Sequence, residues 1–231
     1  MSDTRQRWRL IVARGEAARD LAQRDVVTAW DTALDASDLP LAMTEGAVPR
    51  SRVSFGAPVP VGMLAQREPI DVGLAERRRI TEVRAEVERV SPAGYTLVDL
   101  YDVWPGAPAL AASIVAGEYR ATFEAADGSP IRDGDLESAV TGLLEAMRIV
   151  RRREKAGATV EVDIRPLVLG LRRYEPAADG SFDVWMRLRL GGDGGVGRPD
   201  EVVAALGDEL GRPLTTRYLS RERVVLTDGP A

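Results

Sequence analysis

The 231-residue chain contains no cysteine and no histidine. Without thiolates it can carry no disulfide framework, no Cys-ligated zinc and no iron–sulfur cluster on its own residues. Without imidazole, Ser-His-Asp and Cys-His nucleophile pairs are excluded, and acid–base chemistry falls to carboxylates, tyrosine, Lys155 or a bound cofactor. Carboxylate-only sites for magnesium or calcium stay open in principle, but no EF-hand pattern occurs, and the residues assign no metal and no cofactor. Lysine is nearly absent as well: Lys155 is the single one, and the other cations are arginine. A GC-rich genome accounts for that bias more simply than a selected role. No run of about 18 apolar residues is present, so no membrane span is expected. The first nine residues are polar, hold three arginines and lead into no apolar h-region, which argues against a secretory signal and for a cytoplasmic location.

What is present is a globular composition, 45% hydrophobic, with a formal charge of −5. There is no basic or acidic tail, so a nucleic-acid contact would have to rest on a local patch. The periodicities repeat one order of elements twice. Residues 8–14 read as a strand and 25–36 as a helix, with Val26, Val27, Trp30, Ala33 and Leu34 on one face and Asp25 as its N-cap. Residues 53–55 and 70–74 read as strands, and Ile80, Val83, Val87 and Val90 keep helical spacing up to the Pro92 and Gly94 stop. Residues 95–103 give a fourth strand.

A Pro/Gly/Ala-rich segment, 104–117, reads as a linker. Beyond it, Tyr119, Ala121 and Phe123 alternate with Arg120, Thr122 and Glu124 as a strand does. Leu136 to Met147 gives the best amphipathic helix. Strands follow around Val160, Ile164 and 167–171 and over 182–190, then a helix over 199–210 with proline in its first turn, and a closing strand over 217–227. The expected fold class is therefore α+β: tandem ferredoxin-like βαββαβ subdomains with antiparallel sheets, over residues 1–103 and 118–231. The layout is similar in outline to pseudouridine synthases and to Cas6-like RNA endonucleases, a likeness that does not transfer function.

Three patterns carry candidate chemistry. Residues 192–197, Gly-Asp-Gly-Gly-Val-Gly, satisfy GxGxxG, but only one strand follows, so a dinucleotide fold is not supported. The loop is either solvated or, with Arg198 at the following helix start, an anion contact. Arg148, Arg151, Arg152, Arg153 and Lys155 form the densest basic run, either a solvated helix end or a phosphate-binding surface, with Arg172 and Arg173 as neighbours on an adjoining strand. Asp163 and Arg165 should share one strand face, as an ion pair or as a catalytic carboxylate with its partner.

The stretch over residues 39–62 has the look of a signature: Leu39-Pro40-Leu41-Ala42, Gly46, Pro49, Ser54-Phe55-Gly56 and Val59-Pro60-Val61-Gly62 keep a fixed order of turn and apolar residues. With Val162 to Leu167 and Gly197-Arg198-Pro199-Asp200, it resembles the DUF2344, or radical-SAM-associated, family. Relatives show a Ser-His-x-Asp-like turn and a Pro-His-Pro step; here Ala22-Gln23-Arg24-Asp25 and Pro49-Arg50-Ser51 stand instead, so this chain is a divergent copy without the family histidines. The resemblance implies a non-catalytic accessory or binding module acting beside a separate radical SAM enzyme, with RNA as a candidate ligand. A stand-alone carboxylate-dependent enzyme centred on Asp163 and Arg165, and a structural, oligomer-forming protein, are the alternatives. Arg50, Arg52, Arg151, Arg152, Arg153 and Arg198 are the candidate RNA or anion contacts, and Glu45 joins Arg50 and Arg52 as a candidate partner contact in the signature loop.

Overall fold

The computed structural model describes residues 4–155, 157–174, 181–192, 194–227 and 229–230. The chain divides into two units, Met1–Ile114 with Arg221–Ala231, and Val115–Ser220. The first contains β1 (Gln6–Arg14), α1 (Gln23–Asp35), β2 (Val53–Phe55), β3 (Leu64–Leu74), α2 (Ile80–Val90), β4 (Tyr95–Val103) and the short α3 (Leu110–Ser113). Its strands stand in the order β4-β1-β3, with β2 also on β3. Leu10 pairs with Ile70 on one side and Leu100 on the other, all antiparallel, and Phe55 pairs with Ile70. This is the ferredoxin-like sheet that the βαββαβ order requires.

The alternation of β1 explains the packing. Trp8, Leu10 and Val12 point to one face, where they join Val26, Trp30 and Leu34 of α1, Val83 and Val87 of α2, and Ile70, Val72 and Leu74 of β3 in one buried cluster. Trp30 meets Tyr95 edge-to-face, with ring centroids 5.4 Å apart at 72°, the arrangement that ring quadrupoles favour. Gly94, which lets the chain turn from α2 into β4, has φ +81, and a Cβ there would lie 2.6 Å from the backbone nitrogen of Ala18; only glycine fits.

The second unit follows the same plan with β5 (Ile114–Ala125), α4 (Asp133–Glu145), β6 (Val150–Lys155), β7 (Ala158–Asp163), β8 (Val168–Arg173), β9 (Phe182–Arg189), α5 (Pro199–Glu209) and β10 (Leu214–Leu226). Its strand order is β10-β5-β9-β8, with Ala121 opposite Val184 and Leu171 opposite Met186. Both units are thus ferredoxin-like. The strand expected around Val160 belongs to a hairpin, β6–β7, a separate two-stranded sheet inserted between α4 and β8. Residues 104–117, expected as a linker, hold the turn after β4, the α3 turn and the start of β5. Strand β10 is divided, residues 214–220 going to the second unit and 221–226 to the first.

Several local expectations are corrected. The basic run is not a helix end: α4 stops at Glu145, Ala146 turns extended at φ −57, ψ 133, and Val150–Lys155 is the first strand of the hairpin, Arg152 standing opposite Glu161. Met147, which fits the helical period, is 97% exposed, so periodicity overran the true end. Asp25 is not the N-cap; Ala22 holds that position and Asp25 lies in the first turn, where its charge still suits the helix dipole. The third strand begins at Leu64 rather than at residue 70. No helix among the described residues is long and apolar enough to cross a membrane.

Two buried arginines hold the signature segment in place. Arg221 is fully buried, and its guanidinium grips both oxygens of Glu68 (Nε to Oε1 2.6 Å) while donating to the carbonyls of Ala57 and Pro58 at 2.6 and 3.2 Å. Among the described residues, Arg14 donates only to backbone carbonyls, of Ala18, Arg19, Leu21 and Val59, at 2.7–3.1 Å. Glu68→Ala strands the Arg221 charge in the interior and is expected to cost roughly 3–5 kcal/mol, seen as a lower denaturation midpoint. Glu68→Ala combined with Arg221→Met, which removes both charges, is expected to regain much of that loss.

Candidate nucleic-acid interface

The alternation of the second unit's sheet sorts its residues into two sets. Tyr119, Ala121, Phe123, Val184, Met186, Leu188 and Leu171 are buried, on the phase that faces α4 and α5. The opposite phase carries Glu118, Arg120 and Thr122 on β5, Asp183, Trp185, Arg187 and Arg189 on β9, and Gly170 and Arg172 on β8 with Tyr174 just beyond. Register fixes the rows: Arg120, Trp185 and Arg172 stand across three adjacent strands, and Glu118, Arg187 and Gly170 form the next row. Trp185 thus has an arginine as its cross-strand neighbour on each side.

Their geometry is that of a cation–π ladder. The Arg172 guanidinium carbon lies 4.6 Å from the Trp185 ring and 5.8 Å from the Tyr174 ring; Arg120 lies 5.7 Å from Tyr174, and Arg187 5.9 Å from Trp185. Gly170 makes room for the indole, since a Cβ there would come within 3.1 Å of it. Two cations are balanced locally: Arg120 donates to Asp183 at 2.7 Å, where Thr122 also donates, and Arg187 donates to Glu118 at 3.0 Å. Arg172 and Arg189 have no carboxylate partner among the described residues. Glu124, in the same phase of β5, is ion-paired to Arg217; Arg120, Arg172, Arg187 and Arg189 against Glu118 and Asp183 then leave a surplus of two positive charges in a chain of net −5. Tyr174 is 39% exposed, and Arg120 and Arg172 are exposed too. Planar guanidinium and aromatic groups at this density can stack with bases, and the excess charge can meet phosphates.

The arginines expected from the sequence are dispersed by comparison. Arg50 and Arg52 belong to the first unit and the other four to the second. Arg151 is bound to Asp208 at 2.8 Å, and Arg153 is bound to Glu201 and to the Val196 carbonyl, which holds the Arg153 charge in place, its pKa raised by the hydrogen bonds it donates to Glu201 against the cost of burial. These two fasten the β6–β7 hairpin to α5. Arg152 and Arg198 are exposed, Arg198 as the residue before α5. Arg50 is exposed; the Asp31 carboxyl beside it is raised by burial and then by Asp35, with the Arg50 charge opposing that rise. Of the GxGxxG loop, Asp193 lies outside the described residues; Gly197 packs closely on Leu188 and Leu167.

Asp163 and Arg165 do not share a strand face. The strand ends at Asp163, and Arg165 starts a 3-10 turn with Pro166 inside it. The Asp163 carboxylate accepts the backbone N–H groups of Ile149 and Arg165 at 2.9 and 3.0 Å. Arg165 donates to the carbonyls of Leu144 and Val168 at 2.6 and 3.0 Å. Both side chains serve the local backbone.

The sequence match is broad. The family model described as "Uncharacterized protein conserved in bacteria (DUF2344)" matches residues 7–199. The chain belongs to the DUF2344 family. Among solved structures, the crystal structure of a Cbf5-Nop10-Gar1 complex holds a chain similar to this DUF2344 protein over 93% of its length, at 10% identity and a TM-score of 0.54; this chain spans 48% of that one. At that identity the likeness shows the fold. No curated protein matches. The arginine–aromatic face, from Glu118 to Arg189, lies inside the DUF2344 match. Sequence reasoning passed over it as a set, although one signal was there: Trp185 falls in phase with Asp183, Arg187 and Arg189, not with the apolar residues of its strand.

Asp163 offers a direct check on its structural role in this DUF2344 chain. Its pKa is lowered by the hydrogen bond from Ile149, opposed by partial desolvation and reinforced by the N–H of Arg165 and the charges of Arg148 and Arg165. A carboxylate with a depressed folded pKa stabilises above its unfolded value, about 3.9, and loses that contribution as pH falls through the folded one. An NMR titration is expected to place Asp163 below exposed aspartates, and Asp163→Ala to weaken the hairpin junction, seen as faster amide exchange at Ile149 and Arg165.

Proposed function

We propose that this DUF2344 chain is a non-catalytic RNA-binding module that reads single-stranded segments on the open sheet face of its second unit. The observation that carries the reading is the Arg120–Trp185–Arg172 row with Tyr174 beside it. Single-stranded RNA offers flat bases and a regular phosphate chain, and the face supplies stacking surfaces interleaved with forked donors. Selective readout of a base edge is not required, because every base has a π-face. Glu118 and Asp183 serve here as anchors: each fixes one arginine in register and lets it keep its outward side.

The absence of cysteine and histidine supports a module without its own redox or nucleophilic centre. Its family resemblance adds the further reading that it acts beside a separate radical SAM enzyme and presents RNA to it. Neither Asp163 nor Arg165 lines the cavities of about 620, 480 and 330 Å³, and both side chains are engaged with local backbone groups, which speaks against a carboxylate enzyme centred on them.

The test is fluorescence anisotropy with a short unstructured RNA across a salt series. Trp185→Ala is expected to weaken binding by about 1–3 kcal/mol, the range for one lost stack. Arg172→Ala is expected to lower the salt slope by about 0.7, the value for one single-strand phosphate contact. Arg151→Ala, whose guanidinium is already held by Asp208, should leave both unchanged. Equal affinities for the parent and a Trp185→Ala/Arg172→Ala double variant would dismiss the reading. Co-purification tests the enzyme partner separately.

A further inference from the structure

The first unit contains a cavity of about 620 Å³ whose lining includes Thr4, Arg7, Glu45, Arg52, Ser54 and Asp71, with residues 105–107 and Ala109 on the far side. It lies on the side of β1 and β3 away from α1 and α2, because Arg7 and Asp71 alternate with Trp8, Ile70 and Val72, which belong to the core that faces those two helices. Its wall is a buried charge cluster. Asp71 is clamped by two guanidinium groups, Arg7 through Nε at 2.9 Å and Arg9 through Nε at 2.6 Å and a terminal nitrogen at 2.9 Å. Arg7 also donates to the carbonyls of Ala107 and Pro108, both at 2.9 Å, which fixes the far wall. All three charges are held, and the trio has a surplus of one positive charge in a poorly solvated place, where an unbalanced charge acts strongly.

Arg52 differs from its neighbours. Its Nε donates to the Met43 carbonyl at 3.0 Å, so the side chain is anchored, while its two terminal nitrogens have no partner among the described residues. The Thr4 hydroxyl is buried without a hydrogen-bond partner, and Ser54 lines the same space. An anchored guanidinium with a free donor fork, two hydroxyls nearby and a positive surplus behind form an oxyanion receptor. Glu45, also without an ion-pair partner among the described residues, limits what can enter. Its charge disfavours a polyanion and favours a ligand that brings hydroxyl or amino donors along with a single oxyanion.

We infer that this cavity binds a small metabolite through one phosphate or carboxylate group held by Arg52, with the ligand's donors facing Glu45. The site stands apart from the RNA-binding reading, since it involves other residues of another unit. Two of its members, Glu45 and Arg52, come from the signature loop, and their placement gives that loop a ligand.

Two probes separate the parts of the site. Inorganic phosphate supplies the oxyanion alone, and glycerol 3-phosphate adds hydroxyl donors; sodium chloride at matched ionic strength is the control. By isothermal titration, both are expected to bind the intact chain, with glycerol 3-phosphate the tighter. Arg52→Gln is expected to weaken both by about tenfold or more, as loss of a charged hydrogen bond does. Glu45→Gln is expected to tighten inorganic phosphate and to narrow the difference between the two. Arg50→Gln, outside the cavity lining, should change neither. Because Arg52 also supports the loop, a second measurement uses the unaltered chain: phenylglyoxal labelling mapped by mass spectrometry. Phosphate, unlike chloride, is expected to protect Arg52 but not Arg50. Absence of binding above the chloride control, or equal labelling of Arg52 with and without phosphate, overturns the inference.

Discussion

The segment over residues 57–59 offers three backbone carbonyls to the interior, and prolines around it leave few backbone N–H groups to answer them. Two buried arginines do so instead. Arg221 takes the carbonyls of Ala57 and Pro58 while closing on Glu68, and Arg14 takes that of Val59 together with three carbonyls before α1. A guanidinium is the side chain suited to this task, since it carries five donors in one rigid plane. Placement of the signature loop, and hence of β2 and the cavity wall beside it, depends on these donors. An Arg-rich composition that reads as a genomic bias is here also a structural material: arginines replace the missing backbone donors at several loop junctions, Arg165 among them.

Much of the fold was legible because its signals are local. Strict alternation in β1, β5 and β9 and helical spacing in α2 leave little choice of element, and the order βαββαβ, met twice, leaves little choice of architecture. The errors came where one local rule ran past a tertiary one. Apolar spacing carried α4 on to Met147, although the chain turns at Ala146 so that β6 can pair with β7. The step from Asp163 to Arg165 looked like strand alternation, but Pro166 has no N–H to give a ladder, and the turn forms there instead. Asp163 as a backbone acceptor is invisible in sequence, because nothing in its neighbours announces that the N–H groups of Ile149 and Arg165 lack other partners.

The candidate interface shows the opposite case, where the information was local but read by the wrong criterion. A search for clustered cations finds the run at 151–153, whose charges are largely answered by Asp208 and Glu201. The arginines with outward faces are spread over three strands and become a cluster only through sheet register. Their common mark is phase within an alternating strand, and an aromatic residue on the polar phase is the feature that should have drawn notice.

The division of β10 has a consequence for the order in which the chain can mature. Glu68 and Arg221 are 153 positions apart, so on a ribosome the carboxylate of β3 is made long before its counter-ion. Until β10 emerges, the first unit must keep Glu68 hydrated and the carbonyls of Ala57 and Pro58 without their arginine, whereas the second unit needs only the first half of β10 to complete its own sheet. Contacts of such long separation close slowly, and domains otherwise tend to fold in the order of synthesis. In this protein the N-terminal unit is begun first and finished last.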